Sequence, residues 1–217
     1  MRRHKLKNNP ADHVVGPLEI ESLANGGQGI GRTDGRVVFV AGTFPGDIVR
    51  CRLTKVKKNY AQGEVVELLQ PSPLRRNPPC AVADRCGGCQ WQQLSYSDQL
   101  SWKQKLFVDT LTRYAGVPAD RILPIVPAPE EFGYRSRAQV KCFFSKDRFV
   151  TGFFKPKTRF VVGVDTCPLM PEQLNTLLAA LRKTISSSLF ASQIPQIDLA
   201  IGFDGACCVV VHYLGDK

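Results

Sequence analysis

The sequence predicts a mainly β protein with α+β character, in which an N-terminal OB-like five-stranded β-barrel precedes an α+β central domain built on an antiparallel sheet. Three observations support this prediction. Five short β-like segments separated by turn residues fill positions 14–69. Apolar and polar residues alternate again through positions 134–154. Apolar residues recur at helical spacing in two places, 97–115 and 172–185.

The barrel prediction depends on how the first segments follow one another. They read PLEIESL, GGQGIGR, RVVFVAG, DIVRCRLTKV and YAQGEVVELL. A closed barrel of short strands removes exposed edges and leaves one face for nucleic acid. The glycines at 26, 27, 29 and 31 lack the G-x-G-x-x-G spacing of a dinucleotide site, and no helical pattern follows them. We therefore interpret them as turn glycines of the barrel.

A cationic run marks the predicted hairpin between the fourth and fifth barrel strands. Residues 50–58 contain five Lys or Arg side chains and no acid, and Tyr60 lies two positions beyond them. Cations beside an aromatic ring suit phosphate contact combined with base stacking. A solvated charged loop is the plain alternative. The residues that we predict to bind RNA here are Arg52, Lys55, Lys57, Lys58 and Tyr60.

The segments on either side of the barrel differ from it in composition. Residues 1–13 form a basic tail, which we expect to be disordered. Residues 71–79 are rich in proline and are predicted to be a linker. The predicted organisation is therefore a tail over 1–13, a barrel over 14–70, a linker over 71–79 and a second domain over 80–217.

Three cysteines follow the linker on one short loop. Cys80, Cys86 and Cys89 flank a Gly-Gly pair that lets the backbone bend closely around a bound group. A four-thiolate site needs one more ligand, and Cys167 is the best candidate because Cys-Pro closes ferredoxin-type clusters. Three ligands on one loop favour a [4Fe-4S] cluster over zinc. From spacing alone, zinc and buried thiols without metal stay open.

The second domain has its own predicted elements. We predict a helix that is capped by Ser97 and runs to about Ala115, with Gly116 as its stop. We expect its apolar stripe to lie in the core; this stripe contains Leu100, Phe107, Leu111 and Tyr114. A second helix begins at Pro171-Glu172, and two strands over 196–201 and 206–213 follow. The remaining cysteines, to which we assign no chemistry, are Cys51, Cys142, Cys207 and Cys208, and at least one of the last two should be buried.

The stretch from Phe132 to Val161 is the second basic region. It contains eight cations against one acid. Strand alternation places Arg135, Arg137 and Lys141 on one face, with apolar neighbours on the other. A basic sheet face with loop lysines would form a track for RNA. The phenylalanines of this stretch belong mostly to the core, but a core does not explain the excess positive charge.

Overall composition agrees with a polyanionic partner. The 217 residues carry a formal net charge of +10, with a sequence pI of about 9.4, which indicates nucleic acid before an anionic membrane surface. The positive start is not followed by the apolar region of a signal peptide, and the longest apolar run, 206–211, is far too short to span a bilayer. We expect a cytoplasmic protein whose clustered cysteines bind metal.

Three motifs together resemble a known family. They are CGGCQWQ from Cys86 with Cys80 upstream, FGYRSRAQ from Phe132, and VDTCPLM from Val164. The chain resembles the RNA (uracil-C5) methyltransferases, and more narrowly the iron–sulfur-containing subgroup that methylates 23S ribosomal RNA. This resemblance implies an N-terminal TRAM domain as the RNA-binding barrel and a central cluster domain. It also implies that Cys80, Cys86, Cys89 and Cys167 hold a [4Fe-4S] cluster.

The resemblance also implies a chemistry that these residues do not carry. Family members attack C6 of uracil with a cysteine thiolate and transfer a methyl group from S-adenosylmethionine on a Rossmann-like domain. The sequence contains no strand, glycine-rich turn and helix of the kind that cofactor binding requires. We therefore expect no catalytic residue and no S-adenosylmethionine site here, and expect a missing C-terminal domain or a separate catalytic chain to supply both.

Three functions are compatible with the sequence. The first is the RNA-binding and cluster-bearing portion of an RNA (uracil-C5) methyltransferase that acts on rRNA or tRNA, with rRNA favoured. The second is a non-catalytic RNA-binding protein with a structural metal site. The third is an electron-transfer protein, but no second cluster motif accompanies the first and the basic surface suits a polyanion better.

Overall fold

The structure is a computed structural model that describes residues 13–145 and 148–215. The predicted basic tail therefore lies outside the described residues, apart from His13. The chain divides into two compact units. The first runs up to Asn77 and includes Gln93–Val126, whereas the second contains Pro78–Gln92 and the chain from Pro127 onward. This division differs from the predicted boundary at residue 80, because the chain returns to the first unit after the cysteine loop.

The first unit contains the predicted closed barrel. Its strands are β1 (Val14–Leu23), β2 (Gly29–Thr33), β3 (Arg36–Val40), β4 (Ile48–Val56) and β5 (Tyr60–Gln70), in the spatial order β1-β2-β3-β5-β4. All pairings are antiparallel except that of β3 with β5. Alternate residues point inward, so that Leu18, Val38 and Val49 are fully or almost fully buried. The five-strand barrel is therefore confirmed.

The barrel glycines have two different functions. Gly26 and Gly27 have positive φ angles of 102° and 85° and form the predicted turn. Gly29 and Gly31 instead lie within β2, which corrects the prediction that all four are turn residues. A Cβ on Gly31 would lie 2.6 Å from the carbonyl oxygen of Glu19. These two positions therefore need glycine because neighbouring strands approach closely.

Part of the predicted linker is anchored to the barrel. The buried carboxylate of Asp47 accepts a hydrogen bond from the backbone N–H of Ser72 at 2.8 Å. The guanidinium of Arg75 donates to both carboxylate oxygens of Asp47 at 2.7 Å. The Ser72 hydroxyl donates to the carbonyl of Pro45 at 2.6 Å. These contacts fix residues 72–75 on the barrel, so this part is not a flexible linker.

The first helix, α1, spans Tyr96–Ala115 in the first unit. Ser95, two residues before the predicted start, is its N-cap and accepts a hydrogen bond from the N–H of Asp98. Gly116 ends it with a left-handed φ of 65°, as predicted. None of its residues is buried, and Phe107 and Tyr114 are 54% and 80% exposed. The prediction that its apolar stripe lies in the core is therefore wrong.

The second unit is a five-stranded antiparallel sheet covered by one helix. Its strands are β6 (Arg137–Ser145), β7 (Arg148–Phe154), β8 (Val161–Gly163), β9 (Gln196–Ile201) and β10 (Cys207–His212), in the order β10-β9-β6-β7-β8. Helix α2 (Glu172–Ser186) buries Leu174, Leu178 and Ile185 in the core shared with Val140 and Ile197. The second predicted helix and the antiparallel sheet are both present.

The expectation that at least one of the two β10 cysteines is buried is wrong. Cys207 and Cys208 are both exposed, although neighbouring strand residues point to opposite faces. The reason is that β10 is an edge strand, where a side chain meets neighbours on one side only. Cys51 and Cys142, by contrast, are buried. No helix among the described residues is long and apolar enough to cross a membrane.

Candidate functional site

Four cysteines that are far apart in the sequence line one cavity of the second unit. Cys80, Cys86, Cys89 and Cys167 surround about 410 Å³ of empty space, which includes space open to solvent. All four are free thiols of intermediate exposure. The other side chains around this space are mostly apolar, together with Gln92 and Arg135. The structure therefore brings together the four residues that the sequence singled out.

The cysteine loop consists of tight turns that direct its thiols toward the cavity. The N–H of Cys86 donates to the carbonyl of Val82 at 2.8 Å. The N–H of Gly88 lies 3.4 Å from Sγ of Cys86 and donates to it. The side chain of Gln92 is buried and accepts a hydrogen bond from the N–H of Cys80 at 3.2 Å. Backbone N–H groups directed at sulfur are a common feature of sulfur-ligated clusters.

The loop that carries Cys167 is held by two side chains of α2. Asn175 Oδ1 accepts from the N–H of Cys167 at 2.8 Å, and its Nδ2 donates to the carbonyls of Cys167 and Met170 at 3.1 and 3.0 Å. Arg182, two turns later on the same helix, donates to the carbonyls of Val164 and Asp165 at 2.9 and 3.1 Å. Both side chains therefore fix the position of Cys167.

The surroundings of Cys89 and Cys167 raise the pKa values of these two thiols. Burial raises the pKa of Cys89, and the sulfurs of Cys86 and Cys80 add to the rise, while Gln92 and Arg135 oppose it. Burial also raises the pKa of Cys167, and Cys89 and Cys80 again contribute. These effects follow from the position of the thiols around one cavity. Four thiolates in this cavity would need a compensating positive centre, which a bound metal group supplies.

The side chains that line the cavity indicate which metal groups it could bind. Four sulfur ligands suit zinc or iron, and no carboxylate or imidazole lines the cavity. Among residues 13–145 and 148–215, no three His, Cys, Asp or Glu side chains are close enough together to hold a single metal ion. The four cysteines therefore share one cavity without forming a single-metal site.

The predicted RNA-binding residues of the barrel lie around the β4–β5 hairpin. Lys57 and Lys58 are at its tip, and Arg52 and Lys55 are exposed on β4. A β-bulge between Leu53 and Lys55 ends the inward–outward alternation of β4, so residues 54–56 are all exposed. The described residues contain no ion pair to any of these three lysines.

Tyr60 and Arg50 have neighbours within the barrel. The Tyr60 ring packs edge-on against Phe39 with 6.1 Å between ring centroids, so it is half-buried rather than free at the tip. Arg50 pairs with Glu67 across the two strands at 3.2 Å. Among the described residues, the cations of this hairpin without an ion pair are Arg52, Lys55, Lys57 and Lys58.

The predicted basic face of the second unit divides into two parts. Arg137 and Lys141 lie on the side of β6 opposite the core, where Lys141 bonds to Gln196 and lies 5.5 Å from the ring centroid of Phe154. Arg135 precedes β6 and lines the cysteine cavity. The expectation that Arg135 shares the strand face is therefore wrong, because the strand begins two residues later.

Gln92, Asn175 and Arg182 were not identified from the sequence. Gln92 belongs to the CGGCQWQ motif, but its contact with Cys80 requires the loop to fold back on itself. Asn175 and Arg182 are two of several polar residues on α2, and they are seven residues apart. That spacing places them on one face, which is the signal that could have revealed them.

Comparison with known proteins adds the following findings. Residues 15–66 match the model of the TRAM domain. Over 168 residues the chain is 44% identical to an uncharacterized RNA methyltransferase of Thermosynechococcus vestitus, covering 77% of this chain and 37% of that protein. It is 34% identical to the 23S rRNA (uracil(1939)-C(5))-methyltransferase RlmD of Burkholderia ambifaria, covering 91% of this chain and 44% of that protein. The chain thus spans less than half the length of these curated relatives.

A solved structure is also similar. The crystal structure of the Pyrococcus abyssi tRNA (uracil-54, C5)-methyltransferase in complex with S-adenosyl-L-homocysteine matches with a TM-score of 0.64 and 25% identity. The match covers 92% of this chain and 48% of that one. The similarity therefore extends through both the barrel and the cysteine-bearing unit.

Proposed function

We propose that this chain is the RNA-binding and cluster-bearing portion of an S-adenosylmethionine-dependent RNA (uracil-C5) methyltransferase. One observation carries the proposal: four cysteines at positions 80, 86, 89 and 167 line a single cavity in a chain whose residues 15–66 match a TRAM domain. The relatives named above are RNA methyltransferases, and this agrees with both features.

In this proposal the cavity holds a [4Fe-4S] cluster. The chemistry of four thiols, a sulfur-directed N–H group and apolar walls supports it. The cluster would link the loop after residue 79 to the loop before α2, which are far apart in the sequence. Because a metal bound only by the folded state adds its binding free energy to stability, the cluster stabilises the second unit.

RNA is the proposed partner. The exposed lysines of the β4–β5 hairpin would contact phosphates, and the outer face of β6 with Arg137 and Lys141 would add a second contact. A ribosomal RNA substrate is favoured over tRNA, because the relative that acts on 23S rRNA is 34% identical whereas the tRNA enzyme is 25% identical. We place the protein in the cytoplasm, where ribosomal RNA is modified.

Methyl transfer would take place outside these 217 residues. No Rossmann-type glycine motif occurs within them. The catalytic cysteine and the S-adenosylmethionine site would then belong to a further region of the same enzyme or to a second chain. The part described here would select the RNA and present the uridine.

The test combines metal content with RNA binding. Protein purified without oxygen is assayed for iron, acid-labile sulfide and zinc, and its affinity for a labelled uridine-containing RNA hairpin is measured at several salt concentrations. About four iron and four sulfide per chain are expected, with RNA affinity that falls as salt rises. Zinc without sulfide would instead support a non-catalytic RNA-binding protein with a structural metal site. Absence of RNA binding would contradict the proposal.

A further inference from the structure

The loop between β7 and β8, residues 155–160, is the other strongly cationic element of the second unit. Its sequence KPKTRF contains three cations and no acid. Lys155, Lys157 and Arg159 are all exposed, and the described residues contain no ion pair to any of them. Phe160 at its end is 69% exposed. Cations beside an exposed aromatic ring form a surface suited to single-stranded RNA.

This loop has a defined conformation. The N–H of Lys155 donates to the carbonyl of Phe160 at 2.8 Å, and the N–H of Thr158 donates to the carbonyl of Lys155 at 3.1 Å. The Thr158 hydroxyl also bonds to the carbonyl of Lys155 and accepts from the N–H of Phe160 at 3.1 Å. Lys157 has a left-handed φ of 59°. A loop fixed in this way loses little conformational entropy when it binds a ligand.

The cysteine loop lies directly against the base of this loop. The N–H of Gly87, which follows Cys86, donates to the carbonyl of Phe154 at 2.9 Å. A Cβ on Gly87 would lie 2.8 Å from that oxygen, and 3.2 Å from the backbone nitrogen of Pro156. Only glycine allows the two loops to approach this closely.

Strand β7 supplies a second connection. Phe153 lines the cysteine cavity. The next residue, Phe154, accepts the hydrogen bond from Gly87 and directly precedes the basic loop. The hydrogen bond from Gly87 thus fixes the residue that directly precedes Lys155. Two adjacent residues of one strand thus connect the cavity to the cations.

We propose that residues 155–160 form a further RNA-binding element, and that the cysteine loop holds this element in its binding position through Gly87. Lys155, Lys157 and Arg159 contact the phosphate backbone, and Phe160 stacks on a base. The inference rests on the proposed function and extends it, because it gives the cluster a part in RNA binding through the Gly87 contact. It also assigns a role to a loop that lies outside the TRAM match.

The first experiment removes the charges. The triple variant Lys155→Ala, Lys157→Ala, Arg159→Ala is compared with the wild type in binding a labelled uridine-containing RNA hairpin. Loss of three phosphate contacts should weaken binding at low salt by about tenfold or more and reduce the slope of log affinity against log salt by about 2. The matched control removes three exposed cations of α1, Lys103, Lys105 and Arg113, and should leave both quantities unchanged.

The second experiment tests the coupling. Gly87→Ala should retain its iron but lose about as much RNA affinity as the triple variant. A protein that carries Gly87→Ala together with the three charge substitutions should bind RNA only slightly more weakly than the triple variant. Phe160→Ala, which leaves Gly87 in place, should weaken binding by roughly tenfold through loss of stacking. A folded, iron-loaded Gly87→Ala protein with wild-type affinity would overturn the coupling.

The outcomes separate this inference from the proposed function. A triple variant with the affinity and salt slope of the wild type would overturn the RNA-binding element, while RNA binding by the wild type would still support the proposed function. If the wild type itself binds no RNA, the proposed function is contradicted, and this inference is contradicted with it. Circular dichroism of each variant confirms that a loss of affinity does not reflect unfolding.

Discussion

The guanidinium of Arg75 meets the fully buried carboxylate of Asp47 through two hydrogen bonds of 2.7 Å. The same carboxylate accepts from the N–H groups of Phe44 at 2.6 Å and Ser72 at 2.8 Å. Arg75 also lies 4.8 Å from the ring centroid of Phe44. One acid on the barrel therefore holds the segment that leads to the cysteine loop.

Replacing Asp47 by Ala should destabilise the barrel-containing unit. The change leaves a guanidinium and two N–H groups without their acceptor, which costs about 3 kcal/mol in the free energy of unfolding. Urea denaturation measures this cost. The control is Glu67→Ala, which breaks the exposed pair with Arg50 and should cost less than about 1 kcal/mol. Equal costs for the two variants would show that the buried pair does not anchor the segment.

Replacing Cys86 by Ser should remove both the metal and the fold of the second unit. A missing thiolate abolishes the four-sulfur set around the cavity, and the binding free energy that supports folding is lost with it. Iron and sulfide analysis with circular dichroism measures both effects. Cys208→Ser is the matched control, because Cys208 is exposed on the edge strand β10 and should not change metal content. A folded monomer of Cys86→Ser would contradict the prediction.

Asn175→Ala should loosen the metal site without removing a ligand. Asn175 contacts the N–H and carbonyl of Cys167 and the carbonyl of Met170. Their loss should cost about 2 kcal/mol and speed the release of iron in air. The neighbouring exposed Thr176→Ala serves as control. Iron loss at the wild-type rate in Asn175→Ala would show that the side chain does not position Cys167.

The strands could be predicted from sequence because their side chains alternate between core and solvent. Val140 and Ile197 are fully buried, while Gln139 and Asp198 beside them face away from the core. The grouping of the four cysteines could also be predicted, because Cys-Pro at 167 and the Gly-Gly pair are local signals. In each case the information lies within a few residues.

What could not be predicted depends on distant partners. Asp47 is an ordinary turn residue in the sequence, and its partners Ser72 and Arg75 follow 25 and 28 residues later. The apolar spacing in α1 correctly predicts a helix, but Phe107 is exposed because helical spacing does not specify what covers a face. Arg135 likewise lines the cavity because the strand starts two residues after it.

The barrel hairpin should contribute to RNA affinity through charge. Changing Lys55, Lys57 and Lys58 to Ala should weaken binding of an RNA hairpin and reduce its salt slope by about 2, with metal content unchanged. Fluorescence anisotropy over a salt series measures both quantities. The α1 variant Lys103→Ala, Lys105→Ala, Arg113→Ala removes the same charge elsewhere in the same unit and is the control. An unchanged slope in the hairpin variant would exclude these lysines from the RNA surface.

Alkylation at pH 8 should divide the eight cysteines into three classes. Burial raises the pKa of Cys142 to about 12, so only about one thiol in ten thousand is ionised at pH 8 and Cys142 should not react in the folded protein. The exposed Cys207 and Cys208 should react rapidly. If the proposed cluster is bound, the four cavity cysteines should react only after it is removed, because coordination would occupy their sulfurs. Mass spectrometry of the alkylated protein, before and after treatment with a chelator and oxidant, identifies each class. Rapid alkylation of Cys80, Cys86, Cys89 and Cys167 in anaerobically purified, untreated protein would show that these thiols bind no metal.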